Sequence, residues 1–293
     1  GGNRSRGQGC AKRERPVRLE ADALRTIAAA ECRAALASRL VQGLGGLFAL
    51  MALAIAVAGQ AASGQLMVQG FTRTAVSLLS LALYLLPLVG LVLGAHAFGV
   101  DDGGTELLLA QPIGRGTVLL GRAMGLAAVV GLVSAIGFGL AGAVVLGTAG
   151  PAGLAGYALT ALGSTVVGIA GLSLGSLLGV GSRRRLTAVA KALVAWVVLA
   201  VLLDFAAIAL LQFVGDGEPG PLLLGLLVAN PIDGMRALGL VGLGADILLG
   251  PTGAALSRLL GPTGGGALVA ASLAGWCVLP LVLAARVFGR KDF

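Results

Sequence analysis

Six long runs of apolar residues determine what this chain can fold into. They lie at about 44–59, 76–98, 121–147, 153–180, 192–214 and 267–288. Each run is close to the ~17–25 residues that an α-helix needs to cross a bilayer. Because lipid offers no partner for backbone N–H and C=O groups, such a run crosses as a helix. The sequence therefore predicts an all-α integral membrane protein with six transmembrane helices.

Composition argues against a soluble domain. Charged residues make up 12% of the 293 positions and apolar residues 57%, whereas soluble domains carry roughly 25% charged residues. The chain also has 49 glycines, which allow transmembrane helices to approach each other closely. The net charge of +8 could suit nucleic acid, but nine of the 21 Lys and Arg precede position 44. Most of the others lie in short connections, as topology determinants do, so we expect no nucleic-acid partner.

The distribution of Lys and Arg predicts the orientation. Eighteen of the 21 fall in the N-terminal segment, the connections after spans two and four, and the C-terminal segment, with Arg122 counted in the first of these connections. The other side has only Arg73, Arg236 and Arg258. Because positive residues stay in the cytoplasm, both termini of this multi-pass protein of the cell membrane are expected to be cytoplasmic.

The residues before the first span divide into two segments. Residues 1–20 are polar and basic, which predicts a disordered cytoplasmic tail. Residues 21–42 alternate apolar and charged positions at helical spacing, which predicts an amphipathic helix. That helix could lie along the membrane interface or pack on protein, and we expect the interfacial position. Residues 43–293 form the six-span domain.

The long connection between spans five and six contains two apolar segments, at 222–228 and 237–249, that are too short to cross. They predict re-entrant or interfacial helices on the outer side. Asn230, Pro231 and Asp233 form a good helix start, because Asn caps, Pro suits the first position and Asp complements the positive helix end.

No catalytic constellation is visible. His96 is the only histidine, and three Cys and four Met are scattered along the chain. Copper(I) sites need such ligands grouped together, and no phosphate loop or nucleophile motif is present. We therefore expect a chain that is not an enzyme, with no catalytic residue, no metal and no cofactor of its own.

Three ionisable residues fall within or near spans, where a charge is costly and often functional. Asp204 lies inside the fifth apolar run and could line a transport path or make a structural hydrogen bond. His96, near the end of span two, is a second transport-path candidate or a neutral, hydrogen-bonded side chain. Arg122 is about one turn inside span three, and we expect it to extend to the cytoplasmic interface.

The connection after span two is the most informative. It opens with Asp101 and Asp102, continues into a short apolar helix at 105–110, and stops at Pro112. Glu106 lies near the positive end of that helix. A helix of one to two turns with an apolar face is suited to docking on a soluble partner.

Residues 104–115, Gly-Thr-Glu-Leu-Leu-Leu-Ala-Gln-Pro-Ile-Gly-Arg, resemble the segment that follows the second span in ABC-2 type transporter permeases. The likeness extends through the Gly-Arg pair at 121–122, the N-terminal amphipathic helix and the six-span count. One departure is the Asp pair where the family usually has Glu-x-Glu. The resemblance implies that this short helix is a coupling helix on an ATPase. The residues implied in coupling are Asp101, Asp102, Thr105, Glu106, Leu107, Leu108, Leu109, Gln111, Pro112 and Arg115.

Residues 70–81 and 230–238 resemble the NosY branch of that family, the permease of the exporter that supports nitrous oxide reductase maturation. This likeness implies a homodimer with two cytoplasmic ATPase subunits, which bind ATP and Mg. It also implies a periplasmic accessory protein near Asn230, Pro231, Asp233 and Arg236. Without a copper ligand set, the permease would export a sulfur species or transmit conformational change.

Two alternatives remain open. The chain could be an ABC-2 exporter permease for a lipid, drug or other hydrophobic solute. It could also be a membrane enzyme or a scaffold, although an intramembrane enzyme would need polar residues paired at matched depth.

Overall fold

The fold is a bundle of helices. The computed structural model describes residues 5–63, 67–99, 114–149, 153–213, 220–245 and 250–290, and the regular elements in these ranges are all helical. The helices are α1 (Ser5–Ala37), α2 (Arg39–Ser63), α3 (Met67–Phe98), α4 (Arg115–Ala149), α5 (Leu154–Val180), α6 (Arg185–Val197), α7 (Leu203–Phe213), α8 (Gly220–Ala229), α9 (Pro231–Gly242) and α10 (Gly250–Arg290).

The prediction of six spans is confirmed. Within the described residues, six helical stretches are long and apolar enough to cross a membrane. They are Arg39–Ala61, Phe71–Phe98, Gly116–Val145, Leu154–Val180, Arg185–Leu210 and Gly264–Arg290. The fifth comprises α6, a π-helical segment at Val198–Leu202, and the start of α7.

Helices α3 and α5 form the centre of the bundle, and glycine brings their backbones together. A Cβ atom placed on Gly171 of α5 would lie 2.6 Å from the carbonyl oxygen of Pro87 in α3. A side chain at Gly90 or Gly94 of α3 would likewise meet the backbone of α5. Such contact gains dispersion energy over a long surface, which is how transmembrane helices associate without a hydrophobic driving force.

Helix α2 lies against α3 and α4. Aromatic rings from α2, α4 and α5 pack against one another. Phe48 and Phe138 meet edge to face at 5.9 Å, and Phe138 meets Tyr157 in the same way at 5.8 Å. The Tyr157 hydroxyl donates to the carbonyl oxygen of Phe138 at 2.6 Å. A phenol in a transmembrane bundle is thus hydrogen-bonded inside the chain.

Helix α1 packs against the first turns of α4. A Cβ atom on Gly121 would be 3.0 Å from Ile27, and one on Gly125 would be 3.1 Å from Cβ of Glu31. One face of the amphipathic helix therefore lies on protein, while its placement along the membrane interface stays a prediction. The helix begins at Ser5, earlier than the boundary at residue 20 that the polar composition predicts.

A sharp elbow stands between spans five and six. The segments Pro221–Ala229 and Pro231–Gly242 meet at 110°. Asn230 caps α9 as predicted, because its Oδ1 accepts from the backbone N–H of Ile232 at 3.1 Å. The Val228 carbonyl, near the end of α8, accepts from Ser272 Oγ at 2.9 Å. Side chains thereby satisfy backbone groups that a broken helix leaves without partners.

Helix α10 begins at the Gly-Pro pair at 250–251 and continues to Arg290. Proline at the first helical turn is compatible with this, since the N–H that proline lacks has no partner there in any case.

We predict that Gly171→Val destabilises the bundle. The added side chain collides with the backbone at Pro87, and overpacking of this kind costs about 1–3 kcal/mol. The thermal unfolding midpoint of the purified protein in detergent should fall by several degrees.

Gly139→Val on α4 is the matched control, because a Cβ atom there meets nothing within 4 Å. Its unfolding midpoint should stay close to that of the unmodified protein. Equal midpoints for the two variants would contradict the close packing of α3 on α5.

Candidate functional site

A charged cluster sits where the elbow meets spans two and five. We call it the Arg236 cluster: Tyr84, Asp204, Asn230, Asp233 and Arg236. One guanidinium nitrogen of Arg236, Nη1, lies 3.0 Å from Asp233 and 3.4 Å from Asp204. The pair with Asp233 is local to α9, whereas the pair with Asp204 joins α9 to α7. Asp204 therefore has a partner that its own span does not supply.

Tyr84 connects the cluster to span two. Its hydroxyl accepts from Arg236 Nη2 at 3.1 Å, and the guanidinium carbon lies 5.7 Å from the ring centroid. The Tyr84 carbonyl in turn accepts from the indole N–H of Trp196 at 2.9 Å. Arg236, a residue of α9, is thus held by contacts with α3, α7 and its own helix. In a low-dielectric region such contacts are strong, and losing one is costly.

Asn230 ties the elbow to span five. Its side-chain nitrogen donates to the Leu199 carbonyl at 2.9 Å and to Asp233 Oδ2 at 2.7 Å. Leu199 lies in the π-helical segment, where Leu203 N–H bonds to Val198 instead of Leu199. The wider turn therefore leaves a carbonyl available to Asn230, and π-helical turns are often found at functional sites.

Asp204 lies in the second half of span five, which runs from Arg185 to Leu210. Its partner Arg236 also contacts Tyr84, near the middle of span two. The mid-span depth that the apolar run suggests stays a prediction. The ion pair gives Asp204 a structural role, and its place in a transport path stays a prediction.

The four residues predicted to contact a periplasmic partner are engaged within the chain. Asn230 and Pro231 are buried, while Asp233 and Arg236 form the ion pair. Contact with a partner stays a prediction, and in this arrangement it would fall on the surface around these residues rather than on the Asn230 side chain.

A second ion pair lies at the end of span two that is formed by Ala97 and Phe98. Arg122 contacts Glu31 of α1 at 3.2 Å and donates to the Ala97 carbonyl of α3 at 2.6 Å. Its guanidinium carbon lies 5.1 Å from the Phe98 ring centroid. Arg122 was expected to extend to water at the interface, but its side chain is 15% exposed and paired. Arg122 therefore joins α1 and α3 to its own helix, α4.

A cavity of about 480 Å³ opens beside this ion pair. We call it the arginine-lined cavity. His96, the second transport-path candidate, is on its wall. Its lining residues are Glu31, Ala34, Ala35, Ser38, Arg39, Leu40, Leu93, His96, Ala97, Arg122, Leu126 and Arg185.

The predicted ATPase-coupling residues from Asp101 to Pro112 lie outside the residues that the structure describes. Arg115 is the first residue of α4, so the span that follows the predicted coupling helix starts directly after it. In the described ranges, no group of three or more His, Cys, Asp or Glu could hold a metal ion.

The fold and the comparisons define the class. The model of the family described as ABC-2 family transporter protein matches residues 25–293. The chain belongs to this family, and is a multi-pass membrane transporter subunit of the permease type.

Two relatives narrow the resemblance. A Pseudomonas aeruginosa protein named "Probable ABC transporter permease protein NosY" is 35% identical over 274 residues, covering 91% of this chain and 98% of the relative. A protein of the same name from Stutzerimonas stutzeri is 34% identical over 284 residues, covering 90% and 97%. The chain is therefore NosY-like over nearly its whole length.

We predict that Arg236→Gln lowers the unfolding midpoint, because it leaves the carboxylates of Asp204 and Asp233 without their guanidinium. Adding Asp204→Asn to that variant should recover part of the loss. A double-mutant cycle should give a coupling energy of about 0.5–3 kcal/mol.

Arg73→Gln is the matched control, since Arg73 is an exposed arginine in the first turn of span two and is outside the cluster. Strict additivity of Arg236→Gln and Asp204→Asn would show that the pair contributes nothing to stability.

Proposed function

We propose that this chain is the membrane subunit of an ATP-driven exporter that supports nitrous oxide reductase copper-centre maturation. It would export a sulfur species or transmit conformational change to a periplasmic partner. The observation that carries the proposal is the identity of 35% with a NosY permease across 98% of that relative. The protein would lie in the cell membrane with both termini in the cytoplasm.

ATP hydrolysis would take place in a separate cytoplasmic ATPase, which would hold ATP and Mg. The short helix at 105–110 would dock on that subunit through its leucines. Movement of the helix would pass to α4, which begins at Arg115. The ion pair of Arg122 with Glu31 and its bond to the Ala97 carbonyl would carry the movement to α1 and α3.

The same spans connect to the elbow. Tyr84 of α3 and Asp204 of α7 both contact Arg236, so a shift of α3 against span five changes the geometry of the Arg236 cluster. The elbow is the element through which a periplasmic partner would sense the ATPase cycle. This assigns the cluster to force transmission.

A second copy of the chain would complete the assembly. Span five is the least buried of the six spans and presents a continuous apolar face. Beyond Leu186 at its start, its most exposed members are Val194, Leu202, Phe205 and Ile208. A helix with an apolar face of this length packs on lipid or on another helix, and we propose that in the homodimer part of this face meets the partner copy.

We predict that Leu108→Asp abolishes co-purification of the ATPase, because a carboxylate replaces an apolar docking contact. The amount of permease in the membrane should not change. Pull-down of a tagged permease, with the ATPase detected by immunoblot, makes the measurement.

Leu186→Asp is the matched control. Leu186 is 82% exposed at the start of α6, next to the other central connection that is predicted to be cytoplasmic, so the same substitution there should leave the ATPase bound. Loss of the ATPase from Leu186→Asp alone would move the docking site from 105–110 to the start of α6.

We further predict that this chain, co-expressed with the ATPase of its own host, restores nitrous oxide reduction to Pseudomonas aeruginosa lacking its NosY. The copper-centre absorption of the purified reductase should return with activity. An assembled permease–ATPase complex that restores neither would contradict the maturation role and favour the exporter of a lipid, drug or other hydrophobic solute.

A further inference from the structure

The elbow lies inside the bundle, because three spans meet it near their middles. Tyr84, Leu199 and Trp276 are each close to the midpoint of their own span, in spans two, five and six. The hydroxyl of Tyr84 accepts from Arg236, and the carbonyl of Leu199 accepts from Asn230. The indole of Trp276 donates to the last turn of α8 at 3.3 Å. Charged groups at the elbow are therefore placed where an unbalanced charge is costly.

Two acidic side chains meet one guanidinium nitrogen at this elbow. Arg236 Nη1 lies 3.0 Å from Asp233 Oδ1 and 3.4 Å from Asp204 Oδ2. The two carboxyl groups are also within hydrogen-bonding range of each other. Among the described residues, these three form ion pairs only with one another. With both acids ionised, the three groups would carry one net negative charge.

No other arginine is near enough to balance the second acid. Arg73 and Arg258 are the remaining arginines outside the segments that are predicted to be cytoplasmic. Each precedes by 11 positions the residue through which its helix meets α9, which is Tyr84 in α3 and Val269 in α10. At about 1.5 Å per residue, roughly 16 Å of helix lies between. This separation is larger than an ion pair can bridge.

The helices that pack on α9 are α3, α5, α8 and α10, and their other ionisable groups do not balance the acid either. Helix α8 contains no ionisable residue. Tyr157 of α5 and Cys277 of α10 are neutral and donate to backbone carbonyls. Arg286 and Arg290 lie near the opposite end of α10. The connections at 214–219 and 246–249 lie outside the described residues, and their ionisable residues are all acids: Asp216, Glu218 and Asp246.

We propose that Asp204 and Asp233 form a proton-binding site, which holds one proton between the two carboxyl groups and thereby joins span five to the elbow. Two like charges this close oppose the ionisation of both acids. A protonated carboxyl group still accepts from Arg236 through one oxygen, and it donates to its neighbour through the other. Loss of the proton at higher pH places two negative charges side by side and weakens the contact of α7 with α9. This inference is independent of the reductase-related role proposed above.

Infrared spectroscopy of the full chain, purified in detergent, detects the proton directly. The C=O stretch of a protonated carboxyl group is separate from the bands of carboxylates and of the backbone, and its frequency shifts in heavy water. We expect this band at neutral pH, and we expect it to disappear as the pH is raised. Asp204→Asn and Asp233→Asn each leave one acid with one guanidinium, so each variant should lack the band at neutral pH.

The unfolding midpoint provides a second measurement. The unmodified chain should lose stability over the pH range in which the band disappears, because the folded chain then releases a proton that the unfolded chain does not hold. Asp204→Asn carries an amide that cannot ionise but can still hydrogen-bond to its neighbour. Its midpoint should therefore fall less over the same range.

Glu31→Gln is the matched control, because Glu31 also pairs with an arginine inside the bundle, but as one acid with one guanidinium. This variant should keep the band and the pH dependence of the unmodified chain. Absence of the band from the unmodified chain at neutral pH, or its retention by both Asp204→Asn and Asp233→Asn, would overturn the proposal. Loss of the band from Glu31→Gln would do the same, since it would assign the proton to the other ion pair.

Discussion

The close contact of α3 with α5 is the constraint on which the bundle depends. In lipid, apolar surface gains little by meeting apolar surface, so association relies on intimate packing and internal polar contacts. Gly90 and Gly94 on α3 and Gly171 on α5 make that packing possible, because a Cβ atom on any of them would meet the backbone of the other helix. Because these two backbones pack tightly, α3 presents a fixed surface. Helices α2, α4 and α6 each pack against it.

Helix α3 also connects the two charged sites. Tyr84 near its middle contacts Arg236, and the Ala97 carbonyl near its end accepts from Arg122. Both sites join α3 to helices from distant parts of the chain. A small displacement of α3 would therefore change contacts at the elbow and at α1 at the same time. This arrangement suits a subunit that converts motion at one end of a membrane bundle into motion at the other, as the proposed function requires.

The sequence predicts the spans well because their signal is local. Apolar runs of sufficient length report directly on the hydrocarbon thickness, and the Asn-Pro pair at 230–231 reports directly on a helix start. The partners of the charged residues carry no such signal. Asp204 and Arg236 are 32 positions apart, and Arg122 and Glu31 are 91 apart. Only packing brings them together. For the same reason, the sequence does not predict the contacts that Tyr84 and Trp196 make.

Both charged sites balance an arginine inside the chain, and this indicates what they do. At the Arg236 cluster, one guanidinium faces two carboxylates and a phenol. At the other site, the Arg122 guanidinium faces the Glu31 carboxylate and the Ala97 carbonyl. A charge in a membrane that is neutralised in this way holds helices in place. Each arginine therefore joins helices from distant parts of the chain, as a subunit needs if the motion of one helix is to reach another.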